Sequence, residues 1–168
     1  MALAIWSLTV TGSAHDSVTP VSEAVRSAAA RAATNFIAAA EAMPAGGYGY
    51  KPTPAQMSFG DVIGHMGVGN DALCSSIGGV APPKRSAVAA GAPKEKLVGR
   101  LRETFQFCEA ALAKVNDSRL GEQVPYFGDR EVSRARVMVA AAEEWAGHYS
   151  QLAVYLRLNG LLPPTANR

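Results

Sequence analysis

The sequence predicts an all-α protein, a four-helix bundle with a long crossover connection. Three observations carry that expectation. Apolar residues recur at three- and four-residue spacing in four separate stretches, and Gly/Pro-rich runs divide those stretches. No segment sustains the strict alternation expected of a half-buried strand. With 168 residues, 48% of them hydrophobic and 18% charged, the chain can bury a substantial core as one globular domain.

The first helix is expected from about Val18 to Met43, with Pro20 early and Pro44 past its end. Val25, Ala29, Ala32, Phe36 and Ala40 form its apolar face. The run PAGGYGYKPTPAQ then excludes regular helix or a central strand. Ser58 is a good N-cap for the second helix, and Asp61 stands where a capping-box partner belongs. That helix continues through FGDVIGHMGVGNDALCSSI. Its three internal glycines lower helix propensity by roughly 1 kcal/mol each, so close packing against a neighbour is expected to hold it. GGVAPPKRSAVAAGAP is the crossover connection. The third helix runs from about Lys94 to Val115, with Leu97, Leu101, Phe105, Cys108 and Leu112 on one face. NDSRLGEQVPYFGDREV reads as an extended or turn-rich link. Ser133 caps the fourth helix, Arg134 to Leu158, which Asn159-Gly160 stops.

Charge and hydropathy exclude two classes of partner. A formal net charge of +2, with no Lys/Arg-rich run and no aromatic-basic ladder, argues against nucleic acid. No apolar run reaches the roughly 18–20 residues that span a bilayer, so no membrane association is expected. The low-charge, Ala-rich surface is compatible with a homodimer, although one chain identifies no seam.

Residues 1–15 carry a short apolar core followed by Gly12-Ser13-Ala14, which suits a signal peptidase, but lack a positive n-region. A weak or truncated export signal and a segment that simply packs are balanced readings, with residues 16–168 as the single domain. Cys74 and Cys108 fall on helices able to lie side by side. Two buried thiols suit a cytosolic chain and a disulfide suits an exported one; we favour the disulfide, and with it an exported or periplasmic location. A bridge across a loop of about 35 residues contributes roughly 3–4 kcal/mol on the chain-entropy view.

Three histidines are present. His15 reads as a surface residue near the ragged N-terminus, while His65 and His148 lie inside the second and fourth helices. Glu144 stands one turn before His148, so the two share a face and can reach one ion. If the second and fourth helices face each other, His65 supplies a third ligand. The competing readings are a hydrogen-bonded core histidine and a solvated Glu-His pair. Asp61 is a rival carboxylate already explained by capping, and Gln151 either orients a ligand from behind or faces solvent. Tyr149 and Tyr155 read as packing residues near the pocket rim.

Two stretches carry a resemblance. YKPTPAQMSFGDVIGHMG resembles the loop-to-second-helix signature of the DinB/YfiT-like superfamily, a Pro-x-Pro loop, a Ser-initiated helix and a metal-binding His. EEWAGHYSQLAVYLRLNGLLPP resembles that superfamily's last helix, typically His-x-x-x-His-x-Gly-Gln followed by Tyr-Leu-Arg, a Gly and prolines. Together they cover about 40 residues. The resemblance implies a four-helix bundle of DinB/YfiT-like type in a bacterial protein. It places metal ligands at His65 and His148, and Glu144 where the family has its first His of the last helix. Ser150 replaces the usual Gly before Gln151. Two His and one carboxylate suit Zn²⁺ and also resemble the facial set that suits Fe²⁺. The implied cofactor is therefore a divalent ion (Zn, Ni or Fe).

No Ser-His-Asp set or phosphate-binding Gly loop is visible. The resemblance implies a metal-dependent hydrolase or a thiol-dependent transferase acting on a small-molecule substrate. The other reading is a non-catalytic helical binding or stress-associated module, its metal site vestigial or structural.

Overall fold

Four helices form the frame: α1 (Pro20–Ala42), α2 (Phe59–Gly78), α3 (Lys94–Leu112) and α4 (Arg134–Leu158). They belong to a computed structural model that describes residues 19–89 and 91–166. The candidate export signal at residues 1–15, and His15 with it, lie outside the described residues. Among the described residues, no helix is long and apolar enough to cross a membrane.

Cross-contacts give the helix directions. Gly60 of α2 lies against Leu97 of α3, Asn70 against Thr104, and Gly78 against Ala111, so these neighbours run parallel. On the other side of α2, Met57 meets Tyr155, Asn70 meets Trp145 and Ile77 meets Arg134, so α4 runs antiparallel to it. Arg26 of α1 reaches the end of α3 at Leu112, and Lys94 at the start of α3 reaches Glu41, so those two are antiparallel. The result is an up-down-down-up bundle. Parallel neighbours cannot be joined by a tight turn, so residues 79–93 must return the length of the bundle as the expected crossover.

The apolar faces meet as their spacing implies. Ala29, Ala32, Phe36 and Ala40 of α1 are buried, with Val25 partly so, and all five expected positions of α3 are buried. Phe36 sits between Phe105 and Tyr149, with ring centroids 5.8 and 5.9 Å apart. Gly78 is required by packing, because an added Cβ would lie 2.9 Å from both the Cβ and the carbonyl oxygen of Ala111. The expectation that close packing explains the interior glycines of α2 holds only in part. Gly67 packs on Arg100, whereas a Cβ at Gly69 would meet nothing, and one at Gly64 only Leu97 Cδ2 at 3.7 Å.

Helix ends are satisfied by partners both local and remote. Ser58 and Asp61 form the expected capping box, the Ser58 Oγ accepting from Asp61 N at 3.0 Å and the carboxylate accepting from Ser58 N at 3.2 Å. Thr19 makes no side-chain cap on α1. Asp117, 95 residues on in sequence from Ser22, accepts from the Ser22 N–H at 2.8 Å and its hydroxyl at 2.6 Å. Gly79 ends α2 at φ 62°, its N–H donating to Ser76 O, and buried Arg134 donates to the Ser76 and Ile77 carbonyls of the last turn. Glu122 holds the other side of that guanidinium at 2.6 Å; Arg119 and Arg134 together pull its carboxyl down to about 2.

The link after α3 departs from the sequence reading. It contains an antiparallel hairpin, β1 (Gln123–Tyr126) and β2 (Arg130–Ser133), where no strand was expected. Strands of four residues are too short to show alternation, and β1 contains Pro125. Their turn uses Gly128 and Asp129 at φ 70° and 56°. Helix α3 also stops at Leu112 rather than Val115, and Arg26 donates to the Leu112 and Val115 carbonyls at this end.

One buried polar node joins three helices. Asn70 is 1% exposed; its Oδ1 accepts from the Trp145 indole at 2.8 Å and its Nδ2 donates to Thr104 at 3.3 Å. One turn later Cys74 and Cys108 stand at disulfide distance, Cα atoms 5.0 Å apart and both side chains fully buried.

Asn70→Ala should lower unfolding free energy by about 2–3 kcal/mol, because it strands a buried indole N–H. Chemical denaturation reads this, and a loss within the surface-substitution range of about 0.5 kcal/mol contradicts it. Thiol titration in denaturant without reductant should find almost no free thiol; two thiols per chain would refute the bridge. Reduction should cost roughly 3–4 kcal/mol for a sequence separation of 34. The Ser58 hydroxyl, first among its influences, holds the Asp61 carboxyl below the usual aspartate range. A depressed folded-state value means stability is present above the ordinary range and lost as pH falls through it. Asp61→Ala should therefore cost about 1 kcal/mol at neutral pH, and the difference should vanish in acid.

Candidate metal centre

Each prospective ligand is placed by the element that carries it. The capping box fixes the start of α2, and His65 projects from the next turn. Ser133 caps α4 by accepting from Arg136 N, and Glu144 and His148 follow on successive turns of one face. Trp145 lies beside Glu144 in sequence, and its bond to Asn70 sets the register of α4 against α2. That register brings His65 opposite the Glu144–His148 pair.

Glu144 Oε2 lies 3.1 Å from His148 Nε2 and 3.6 Å from His65 Nε2. The two imidazoles meet edge to face with centroids 4.8 Å apart. One ligand atom from each of the three residues lies within 4.8 Å of the others. Donors bound at about 2.0–2.2 Å in a tetrahedral set are roughly 3.3 Å apart, so the two measured carboxylate–imidazole edges suit a shared ion. Two neutral imidazoles and one carboxylate offer a divalent cation one balancing negative charge. Side-chain exposures of 48% for His65, 44% for Glu144 and 22% for His148 leave one side open to a small molecule.

His148 is also oriented from behind. Its Nδ1 meets Gln151 Oε1 at 3.2 Å, Gln151 Nε2 donates to the Tyr155 hydroxyl at 2.9 Å, and that hydroxyl donates to the Met57 carbonyl at 3.0 Å. With Gln151 Oε1 accepting, Nδ1 is the donor there, and Nε2 is the ring atom that faces Glu144. The chain ends on the residue before Ser58, tying the ligand helix α4 to the start of α2.

His65, Glu144, His148 and Gln151 thus come together. Asp61, the rival carboxylate, is committed to its cap and lies outside the cluster. Ser150 donates to the Ala146 carbonyl and takes no part. Tyr149 packs on Phe36 and bonds Thr165. Tyr155, expected as a packing residue near the pocket rim, is buried and also carries the hydroxyl of the chain behind His148. Its position four residues after Gln151 was the available signal. Asn70 gave no such signal, since nothing in its surroundings marks a buried amide.

A DinB-like protein from Bacillus cereus superposes with TM-score 0.72 at 16% identity, covering 86% of this chain and 96% of that one. A DinB-like protein from Bacillus subtilis gives TM-score 0.65 at 20% identity, covering 82% and 92%. A conserved protein from Enterococcus faecalis gives 0.66 at 16%, covering 84% and 98%. At these identities the likeness shows the fold alone. Comparison with curated proteins finds no match. The sequence profile of the DinB superfamily matches residues 28–152, most of the chain, and the protein therefore belongs to the DinB superfamily.

Proposed function

We propose that this protein is a metal-dependent enzyme of small-molecule chemistry, with hydrolysis as the reaction class and His65, Glu144 and His148 as the metal ligands. The observation that supports it most is the convergence of three donors from two helices, one of them backed by the Gln151–Tyr155–Met57 chain. A solvated Glu-His pair has no need of a third donor or of an oriented ring behind it.

When bound, the ion supplies Lewis acidity that polarises a substrate oxygen and makes water a usable nucleophile. The chain's own residues do the rest. Gln151 holds the His148 proton at Nδ1, which keeps Nε2 free to ligate. Glu144 supplies the negative charge that favours a divalent ion, and by the same token acidifies water less than an imidazole in its place would. The open side beside His65 admits the substrate. The mixed donor set is compatible with Zn²⁺, Ni²⁺ or Fe²⁺.

Elemental analysis of tag-free protein incubated with each ion should find about one equivalent per chain, as for a single three-ligand site. His148→Ala should abolish binding, and Gln151→Ala should weaken it by about 10–100-fold while leaving the fold intact. Stoichiometry that survives His148→Ala would move the site elsewhere. The absence of any bound ion in the parent protein would sink the enzymatic reading.

A further inference from the structure

The crossover does more than connect α2 to α3. Residues 80–89 run back over these helices, and the space beneath them is a groove of about 1080 Å³, as large as a small-molecule site. Its floor is one face of α2 from Gly60 to Gly79, roughly 28 Å of helix. His65 lines the groove as well as belonging to the metal cluster, so the two share a wall.

The chemistry of the walls is apolar and charge-neutral. Val68, Val88, Leu97, Val124 and Phe127 contribute hydrocarbon surface, and Val68 and Phe127 are 73% and 50% exposed. Arg85 fastens the crossover from inside the wall, bonding Asp71 at 2.9 Å and Glu103 at 3.0 Å, and Arg100 bonds the Ser86 carbonyl at 2.8 Å. These cations are committed to acidic or carbonyl partners, and none is left to select an anion. Among the described residues, the buried side-chain polar atoms without a hydrogen bond are Asp71 Oδ1 and Arg100 Nε, both from this wall. Arg100 Nε nonetheless faces Glu103 Oε2 at 3.4 Å, so its charge is balanced within the wall.

Gly64 is the most informative position. It lines the groove beside His65, in mid-helix, where glycine costs about 1 kcal/mol relative to alanine. Packing does not demand it, since an added Cβ would make only an ordinary 3.7 Å contact with Leu97. What its missing side chain preserves is open space next to the cluster.

We infer that this groove binds the unbranched apolar chain, alkyl or acyl, of a substrate whose polar head lies at His65, Glu144 and His148. The inference rests on the proposed metal chemistry for the head group, but the chain-binding groove can be tested without metal. Metal-free protein is titrated with the straight-chain primary alcohols hexanol, octanol and decanol by calorimetry. Affinity should rise about fourfold for each added methylene. Gly64→Leu should abolish uptake while leaving circular dichroism and metal stoichiometry unchanged. Val68→Asp, at an exposed position, should weaken uptake even if Gly64→Leu folds poorly. Length-independent binding, or none, overturns the inference whatever the metal result. So does a concentration-dependent dimer dissolved by Phe127→Ser without alcohol uptake, which assigns the face to a second copy. Alcohol uptake without metal binding leaves the groove standing and removes only the catalytic reading.

Discussion

The Asn70 amide is the contact on which the geometry of the site depends. It is buried at the junction of α2, α3 and α4, and its two ends are used differently, one accepting from Trp145 and one donating to Thr104. Apolar helix faces slide past one another at little cost, because hydrophobic burial is non-directional. A buried hydrogen bond does not slide, because breaking it leaves both partners dry and unpaired. Trp145 is therefore held in one register against α2, and its sequence neighbour Glu144 comes to rest 3.6 Å from His65.

The parallel pairing of α2 and α3 has a second consequence. The chain must travel back between them, and it does so over the face of α2 that α3 and α4 leave uncovered. Cys74 and Cys108, at disulfide distance, and the close approach at Gly78 bring this pair together on one side. On the other side Arg85 fastens the crossover through Asp71 and Glu103, and its Val80 and Val88 pack against the core. The same topology thus places a stiff helix pair and a groove next to the ligand-bearing end of α2.

Much of this was legible from residue order. The spacing of Ala29, Ala32, Phe36 and Ala40, and of Leu97 through Leu112, announced the buried faces, and Ser58 with Asp61 announced the start of α2. Glu144 and His148 could be placed on one face by spacing, but His65 needed either the structure or the family resemblance, since spacing says nothing about which helices meet. The hairpin was illegible because four-residue strands carry no period, and the remote cap of α1 by Asp117 because 95 residues separate it from Ser22. Tyr155 looked like core and is core, yet its hydroxyl also steadies Gln151; burial and function are not exclusive for a side chain with one polar atom.

The departure at Glu144 gives the central question its form. A carboxylate where the superfamily's resemblance leads one to expect an imidazole either completes a cation site or leaves two histidines without one. Its distances to both imidazoles, and the orientation that Gln151 gives the His148 ring, argue for completion. Anomalous diffraction at the absorption edge of zinc, from crystals soaked in the ion, tests this directly. A single peak is expected about 2.0–2.2 Å from His65 Nε2, a Glu144 oxygen and His148 Nε2 together. A peak that excludes Glu144, or none at these residues, would contradict it.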